Sequence, residues 1–138
     1  AVTDGNGNRV EQAFDPLNFR ETVRDARGNP TGLTFNERGN VTRKETPTEF
    51  GPVVEQYFYD DPANPDKETK VVNPRGFATT KTYDARGNVL TEATPDGTTA
   101  YTYNALNKLT SVTDPLGRTT AYDYSPQGNL VRVVNPLG

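Results

Sequence analysis

One short turn, written again and again at intervals of about ten residues, constrains this chain more than any other feature. It is clearest in Val112 to Asn129, VTDPLGRTTAYDYSPQGN, where Asp114-Pro115-Leu116-Gly117 and Ser125-Pro126-Gln127-Gly128 flank the alternating segment Arg118 to Tyr124. Asp or Ser at the first position can cap the reversal, Pro fixes φ at the second, and Gly takes the strained fourth. A chain that turns back this often has room for short strands and none for a long helix.

The pattern recurs along the sequence as an internal repeat. Counterparts of Asp114 stand at Asp4, Asp25, Asn73, Thr94 and Asn135, with closing glycines at Gly7, Gly28, Gly76, Gly97 and Gly138. Counterparts of Tyr124-Ser125 stand at Phe14-Asp15, Phe35-Asn36, Tyr59-Asp60, Tyr83-Asp84 and Tyr103-Asn104, and Gly39 and Gly87 close two of those turns. Successive aromatics fall 21, 24, 24, 20 and 21 residues apart, so the full repeat holds about 21 residues and two turns. Where glycine is missing from the fourth position, Asn18 and Asn107 replace it, and asparagine also tolerates left-handed geometry. The first position drifts among Asp, Asn, Ser and Thr. Such drift suits capping, as expected of Asp84 and Asp114, and does not suit catalysis.

Hydrophobic residues make up only 32% of the 138, with no Trp or Met, so a single domain of this length has a thin core. Threonine beside Tyr and Phe fits a pleated, half-buried surface. A net charge of -3 with interspersed Lys and Arg offers no basic stripe for nucleic acid. The absence of cysteine rules out a disulfide scaffold. No apolar run approaches the ~18 residues of a membrane span, and the N-terminus does not resemble a signal peptide. A start in mid-repeat and a stop at a turn glycine are expected of an excerpt from a larger protein.

In chain order, Asn8 to Phe14 reads as an end strand. Turns at Asp15, Asp25 and Asn36 then enclose Phe19 to Arg24 and Asn29 to Phe35. Pro30 is tolerable only at an edge or a bulge. Longer loops interrupt the pattern near 46–51 and 60–70. From Val71 onward the expected strands are Phe77 to Tyr83, Val89 to Ala93, Thr98 to Tyr103, Lys108 to Thr113, Arg118 to Tyr124 and Asn129 to Val134. Tyr101 and Tyr103, like Tyr122 and Tyr124, share a face. Leu109 and Val112 are three apart, so a bulge or burial of both faces must accommodate them. Connections this short force antiparallel neighbours. The expectation is an all-β meander of at least nine strands, without an α-helix of more than two turns, that must curl, spiral or pack on more of the same.

With no histidine or cysteine, His-based triads, thiol nucleophiles and typical zinc sites are excluded. Asp60, Asp61 and Asp66, with Asn64 and Glu68, offer oxygen ligands of the kind calcium takes. Pro62 and Pro65, however, stand where a calcium loop needs a ligand and its glycine. The group is a weak metal candidate beside the simpler reading as a solvated turn insertion, and no cofactor is expected. Asn40-Val41-Thr42 matches a glycosylation acceptor, relevant only in a eukaryotic secretory setting. The aromatics Phe14, Phe35, Tyr59, Tyr83, Tyr103 and Tyr124 form a row at repeat spacing. At strand spacing such rings serve as core more often than as stacking platforms for sugars.

The segments Tyr83-Asp84-Ala85-Arg86-Gly87-Asn88-Val89-Leu90 and Leu109 to Thr120 closely resemble the YD repeats of the Rhs (rearrangement hotspot) family. The resemblance covers nearly the whole of 1–138 as about six repeats, with Arg24 and the two central loops departing from the pattern. It implies a strip of β-hairpins winding into a hollow shell that, in bacterial toxins, encloses a C-terminal effector. The implied partners are the remaining repeats of the shell and an enclosed toxin domain, and the implied setting is secreted or cell-surface. The family's toxins also carry an Asp-Pro-x-Gly-Leu signature for autoproteolysis. Asp114 to Gly117 continues with Arg118 instead, and Asn135-Pro136-Leu137-Gly138 lacks the acid, so both are read as ordinary turns. The function implied is a non-enzymatic wall segment. The alternative is a surface-exposed adhesive module that binds glycan or a partner protein.

Overall fold

The computed structural model describes residues 2–3, 9–25 and 28–137, with backbone alone over 2–3 and 9–12. The expected turn at Asp4 to Gly7, Ala26 of the Asp25 turn and Gly138 lie outside the described residues. Thirteen strands and no helix occur among those described: β1 (Val2–Thr3), β2 (Arg9–Asp15), β3 (Arg20–Arg24), β4 (Pro30–Phe35), β5 (Val41–Thr46), β6 (Val53–Phe58), β7 (Lys70–Val72), β8 (Ala78–Tyr83), β9 (Val89–Thr94), β10 (Gly97–Tyr103), β11 (Leu109–Thr113), β12 (Thr119–Tyr124) and β13 (Leu130–Val134). From Val71 onward the expected strand ends are met within one residue.

The chain divides into two compact units, Ala1–Phe58 with Val71–Phe77 and Tyr59–Lys70 with Ala78–Gly138. In the first, β1 to β6 pair antiparallel, each with the next in sequence. In the second, β8 to β13 do the same. Loops this short leave antiparallel pairing as the only geometry. One expectation is corrected here: the Asn8 to Phe14 strand is not an end strand, because Val2 and Thr3 pair with Val10 and Arg9. Pro30 is tolerated because it is the first residue of β4.

A bulge recurs at one point of the repeat. The register slips just before Phe35, Tyr83, Tyr103 and Tyr124, each of which pairs with Val41, Val89, Leu109 or Leu130. The slip leaves one extra residue in the returning strand and thereby brings Leu109 and Val112 onto a single face, opposite Tyr103 and Tyr101. In the second unit that face carries Tyr101, Tyr103, Leu109, Val112, Tyr122, Tyr124, Leu130 and Val133. The opposite face carries threonines and Ser111 joined in pairs across strands, Thr82 to Thr91 at 2.6 Å, Thr102 to Ser111 at 2.6 Å and Thr113 to Thr119 at 2.8 Å. The first unit has the same sidedness, with Phe14, Val23, Leu33, Phe35 and Val41 in register on one face.

No hydrophobic side chain is buried among the described residues. The thin composition thus appears as two single layers whose aromatic faces are half-covered, not as a closed core. Turn geometry carries correspondingly more of the fold. Gly28, Gly39, Gly76, Gly87, Gly117 and Gly128 lie at φ between +80° and +84°. A Cβ at Gly117 would meet nothing within 4 Å, so a substitution there acts through backbone strain alone. Gly117→Val should lower stability by ~1 kcal/mol or more relative to Leu116→Val on the neighbouring exposed position. Equal thermal melts for the two variants would count against the turn assignment.

Candidate functional site

The residues marked by the sequence converge on the turns, and the turns share one construction. At Asp84 to Asn88 the Gly87 N–H donates to the Asp84 carbonyl at 3.0 Å, and the Asp84 N–H donates to the Asn88 carbonyl at 2.9 Å. This is a type I turn followed by a left-handed residue that forms a bulge. The same pair of bonds closes the turns that start at Asp25, Asn36, Asn73, Asn104, Asp114 and Ser125.

The first residue does more than start the turn. Asp84 Oδ1 accepts the N–H of Arg86 at 2.8 Å and of Asn88 at 2.9 Å, and Oδ2 accepts the Asn88 side chain at 2.9 Å. Asp114 Oδ1 accepts from Leu116 and Arg118, both at 2.9 Å, while Arg118 also closes an ion pair on Oδ2. Asn36, Asn73 and Asn104 use their amide oxygens identically. Asp and Asn therefore interchange because one planar oxygen two bonds from Cβ serves two N–H groups that the strands leave unpaired. Ser125 manages one such bond, at 3.3 Å.

Three turns depart from expectation. In the Asp15 turn the left-handed residue is Phe19 at φ +49°, not Asn18, because Asp15 and Arg20 are the paired residues and enclose a four-residue loop. Asn18 instead donates its side chain to Asp15 Oδ2 at 2.7 Å. Asn107, at φ +64°, does take the glycine role. In the long loop the turn begins at Asp61 rather than Asp60: the Asn64 N–H donates to the Asp61 carbonyl at 3.1 Å and Asp61 Oδ1 accepts from Ala63 at 2.9 Å. The Thr94 reversal is tighter than the rest, since Thr94 pairs directly with Gly97. A Cβ on Gly97 would sit 2.6 Å from Pro115 Cβ, so this glycine, unlike Gly117, is required by close packing as well as by its φ of +131°.

In the second unit the turns of one edge bond to one another. The Asn64 side chain donates to the Asp84 carbonyl at 3.0 Å, and Arg86 donates to the Ala105 carbonyl at 3.0 Å. Asn64, 8% exposed, is the one buried residue among those described, and sequence reasoning placed it in a metal candidate instead of this role. The signal was legible, for Asp61-Pro62-Ala63-Asn64 repeats the form of Asp15-Pro16-Leu17-Asn18. Asp61 spends its carboxylate on Ala63 and Asn64, and Asp60, Asp61 and Asp66 do not come together as a group that could hold a metal ion among the described residues.

The aromatic row sits at the strand ends beside these turns. Tyr83 donates to the Glu68 carbonyl at 2.7 Å and Tyr124 to the Leu109 carbonyl at 2.8 Å, each fifteen residues back. Burial holds the Tyr83 phenol above its ordinary value, which keeps it a donor. Tyr103 lies in register with them, opposite Leu109, and Tyr59 follows the end of β6. Phe14 and Phe35 occupy the corresponding places of the first unit, without a hydroxyl. The face also carries a cross-strand ion pair in each unit, Lys44 to Glu55 at 3.3 Å and Lys81 to Glu92 at 3.7 Å, which the sequence reading did not mark.

Two outcomes are expected. Tyr124→Phe should lose about 1 kcal/mol of stability with its hydrogen bond, measured by denaturant melts, while Tyr103→Phe should change it by less than about 0.5 kcal/mol. Acid should act through the caps. The Asp84 carboxyl is held below its ordinary value of 3.8, first by the Asn88 side chain and then by the Asn88 and Arg86 N–H groups. A depressed folded-state value means that its contribution is complete above pH 3.8 and is lost as pH falls through the lower folded value. Asp84→Asn, which keeps the acceptor and removes the titration, should melt like wild type at neutral pH and lose less stability below pH 3.8. Parallel acid melting curves for the two would refute that role.

Comparison with known proteins follows the same lines. A family model described as RHS Repeat matches residues 66–99 and 103–138. The fold is similar to part of the Tc holotoxin pore of Photorhabdus luminescens, with a TM-score of 0.77 at 17% identity over 99% of this chain and 8% of that one. It is also similar to part of TcdB2-TccC3, with a TM-score of 0.74 at 18% identity over 93% of this chain. A form of that complex without its hypervariable C-terminal region gives 0.73 at 18% identity. The chain spans 8% or less of the length of these neighbours. No curated protein matches the sequence.

Proposed function

We propose, from the premise that this chain belongs to the RHS-repeat family, whose model covers just over half of it, that it is a stretch of the wall of a hollow β-shell that encloses and helps deliver a toxin cargo. The repeat region is a structural part, and its role here is non-catalytic. The observation that carries the proposal is the absence of any buried apolar side chain among the described residues, although one face of each unit is lined with aromatics and Val or Leu. Single-layer sheets of this kind need a further surface to cover that face. The remaining repeats of a larger protein, of which 1–138 would be a run of about six, are the natural supply.

Support for the cargo comes from the neighbours. They include a holotoxin pore and a complex from which a hypervariable C-terminal region can be omitted, as expected where a constant wall accompanies a variable content. Such a protein would act outside the cell or at its surface. No helix among the described residues is long and apolar enough to cross a membrane. The caps Asp84 and Asp114 and the turn glycines serve here as hinges of the wall, and the tyrosine row as its seam. Tyr83 and Tyr124 give their hydroxyls to backbone carbonyls, which favours the wall over an adhesive surface for the tyrosine row.

A wall has two unequal sides. Because the chain has no cysteine, Thr102→Cys on the threonine face and Val112→Cys on the aromatic face can each be labelled alone in the assembled full-length protein. A bulky maleimide should label one face readily and the other only after the assembly is opened. Equal labelling of both faces in the intact protein would overturn the wall reading.

A further inference from the structure

The four most exposed large apolar side chains among the described residues are Phe50 at 99%, Leu137 at 98%, Leu17 at 89% and Leu116 at 77%. All four stand at the tips of reversals, beyond the ends of the strands and off both faces of the sheet. A surface laid over the aromatic face does not reach them. Taking the chain as a segment of a wall, we propose that these tips dock on the next winding of the same strip, so that adjacent windings are joined through their strand ends.

The turns themselves do not need these side chains. Leu17, Phe50 and Leu116 give their N–H groups to Asp15 Oδ1, Thr48 Oγ1 and Asp114 Oδ1 at 3.0, 3.3 and 2.9 Å. On the tip's side those bonds use backbone alone, so any residue with an N–H would form them. The same position of other turns holds Arg38, Arg75, Arg86 or Gln127. Polar residues therefore serve the reversal equally well, and an apolar one exposes area to water with no return inside its own unit. A scattered exposed leucine is ordinary, but here the extremes of exposure collect at one structural position.

The meander decides which end of the strands each tip leaves from, because successive turns lie at alternate ends. In the first unit Leu17, between β2 and β3, projects from one end and Phe50, between β5 and β6, from the other. In the second unit Leu116, between β11 and β12, and Leu137, after β13, project from one end together. There Pro136 and Leu137 stand with Val112 and Thr120 around an open hollow of about 440 Å³. Arg118 on its lining spends its charge on Asp114, so the hollow is a seat for an apolar side chain and not for an ion. Successive windings of one strip run the same way, so one end of a winding faces the opposite end of the next. A tip such as Leu17 then meets a seat such as the one beside Leu137, in a heterologous contact that repeats along the strip. The chain spans 8% of the length of its structural neighbour, and a strip of that length is long enough to lie beside itself.

The test uses the assembled full-length protein with a bulky maleimide as probe. Leu17→Cys, Leu116→Cys and Leu137→Cys should each label about tenfold or more slowly in the intact assembly than after it is opened with denaturant. Leu116→Arg, which keeps the bonds of the turn and places a charge in the contact, should open at a lower denaturant concentration than the volume-conserving Leu116→Met. Rapid labelling of the tips in the intact assembly overturns the proposal, as does equal opening of the two variants. Protection that is lost on dilution to a single molecule would assign the tips to contact between copies and overturn it too. Thr102→Cys and Val112→Cys, labelled in parallel, separate this failure from that of the wall. Free tips with unequal faces remove the contact between windings alone, whereas equally labelled faces remove the wall and the contact with it.

Discussion

A single oxygen two bonds from Cβ holds this structure in shape. In the turns of the repeated kind the first residue offers its side chain to N–H groups that the ladder cannot reach, and Asn36, Asn73, Asp84, Asn104 and Asp114 each serve two of them. Asp84 does this for Arg86 and Asn88, and Asn104 for Leu106 and Lys108. With no apolar side chain buried among the described residues, the reversals cannot be by-products of packing. They must be specified locally, and a capped turn closed by a left-handed residue is specified by about five residues. The strands between then require only sidedness, which Thr and Tyr supply as well as larger apolar residues do.

The bulge gives that sidedness its consequence. By inserting one residue opposite each aromatic, it turns a three-residue spacing such as Leu109 and Val112 into a common face. Aromatic, Val and Leu side chains gather on one side and paired threonine hydroxyls on the other. The second side is self-satisfied, because hydroxyl bonds to hydroxyl. The first is not, because rings half-covered within one layer still expose apolar area to water. A repeated unit with one satisfied face and one unsatisfied face is suited to continued winding, and the proposed place of this chain in a shell rests on that asymmetry.

Variation between the units shows how a repeat acquires local character without losing its frame. The row position is Tyr at 83, 103 and 124, and at 83 and 124 the phenol fastens the ring to an earlier strand. At 14 and 35 it is Phe, which cannot be fastened that way, and a hollow opens beside Phe19. Likewise Gly117 is needed for its backbone angle, whereas Gly97 is needed also because Pro115 lies where a Cβ would be. Positions that align in sequence thus answer to different physical demands.

Much of this was legible in the residues themselves. The turns, their caps, the strand limits after Val71 and the antiparallel order all follow from interactions spanning ten residues or fewer, whose chemistry is written in adjacent positions, whereas the choice between a bulge and burial of both faces at Leu109 and Val112 was made by the strand register. Errors arose where the pairing of strands or loops, and not the chemistry of adjacent positions, was decisive. Asn18 resembled a turn glycine, but pairing between Asp15 and Arg20 moved the left-handed angle to Phe19. The acidic loop resembled a metal candidate, but Asn64 reaches the Asp84 carbonyl twenty residues on and makes the loop a brace. The Asn8 to Phe14 strand looked terminal until two residues of β1 paired with it. A sequence of this kind determines its local turns because side chain and backbone bond within one reversal. Which turn touches which, and where a hollow is left, is decided only when the strands are laid side by side.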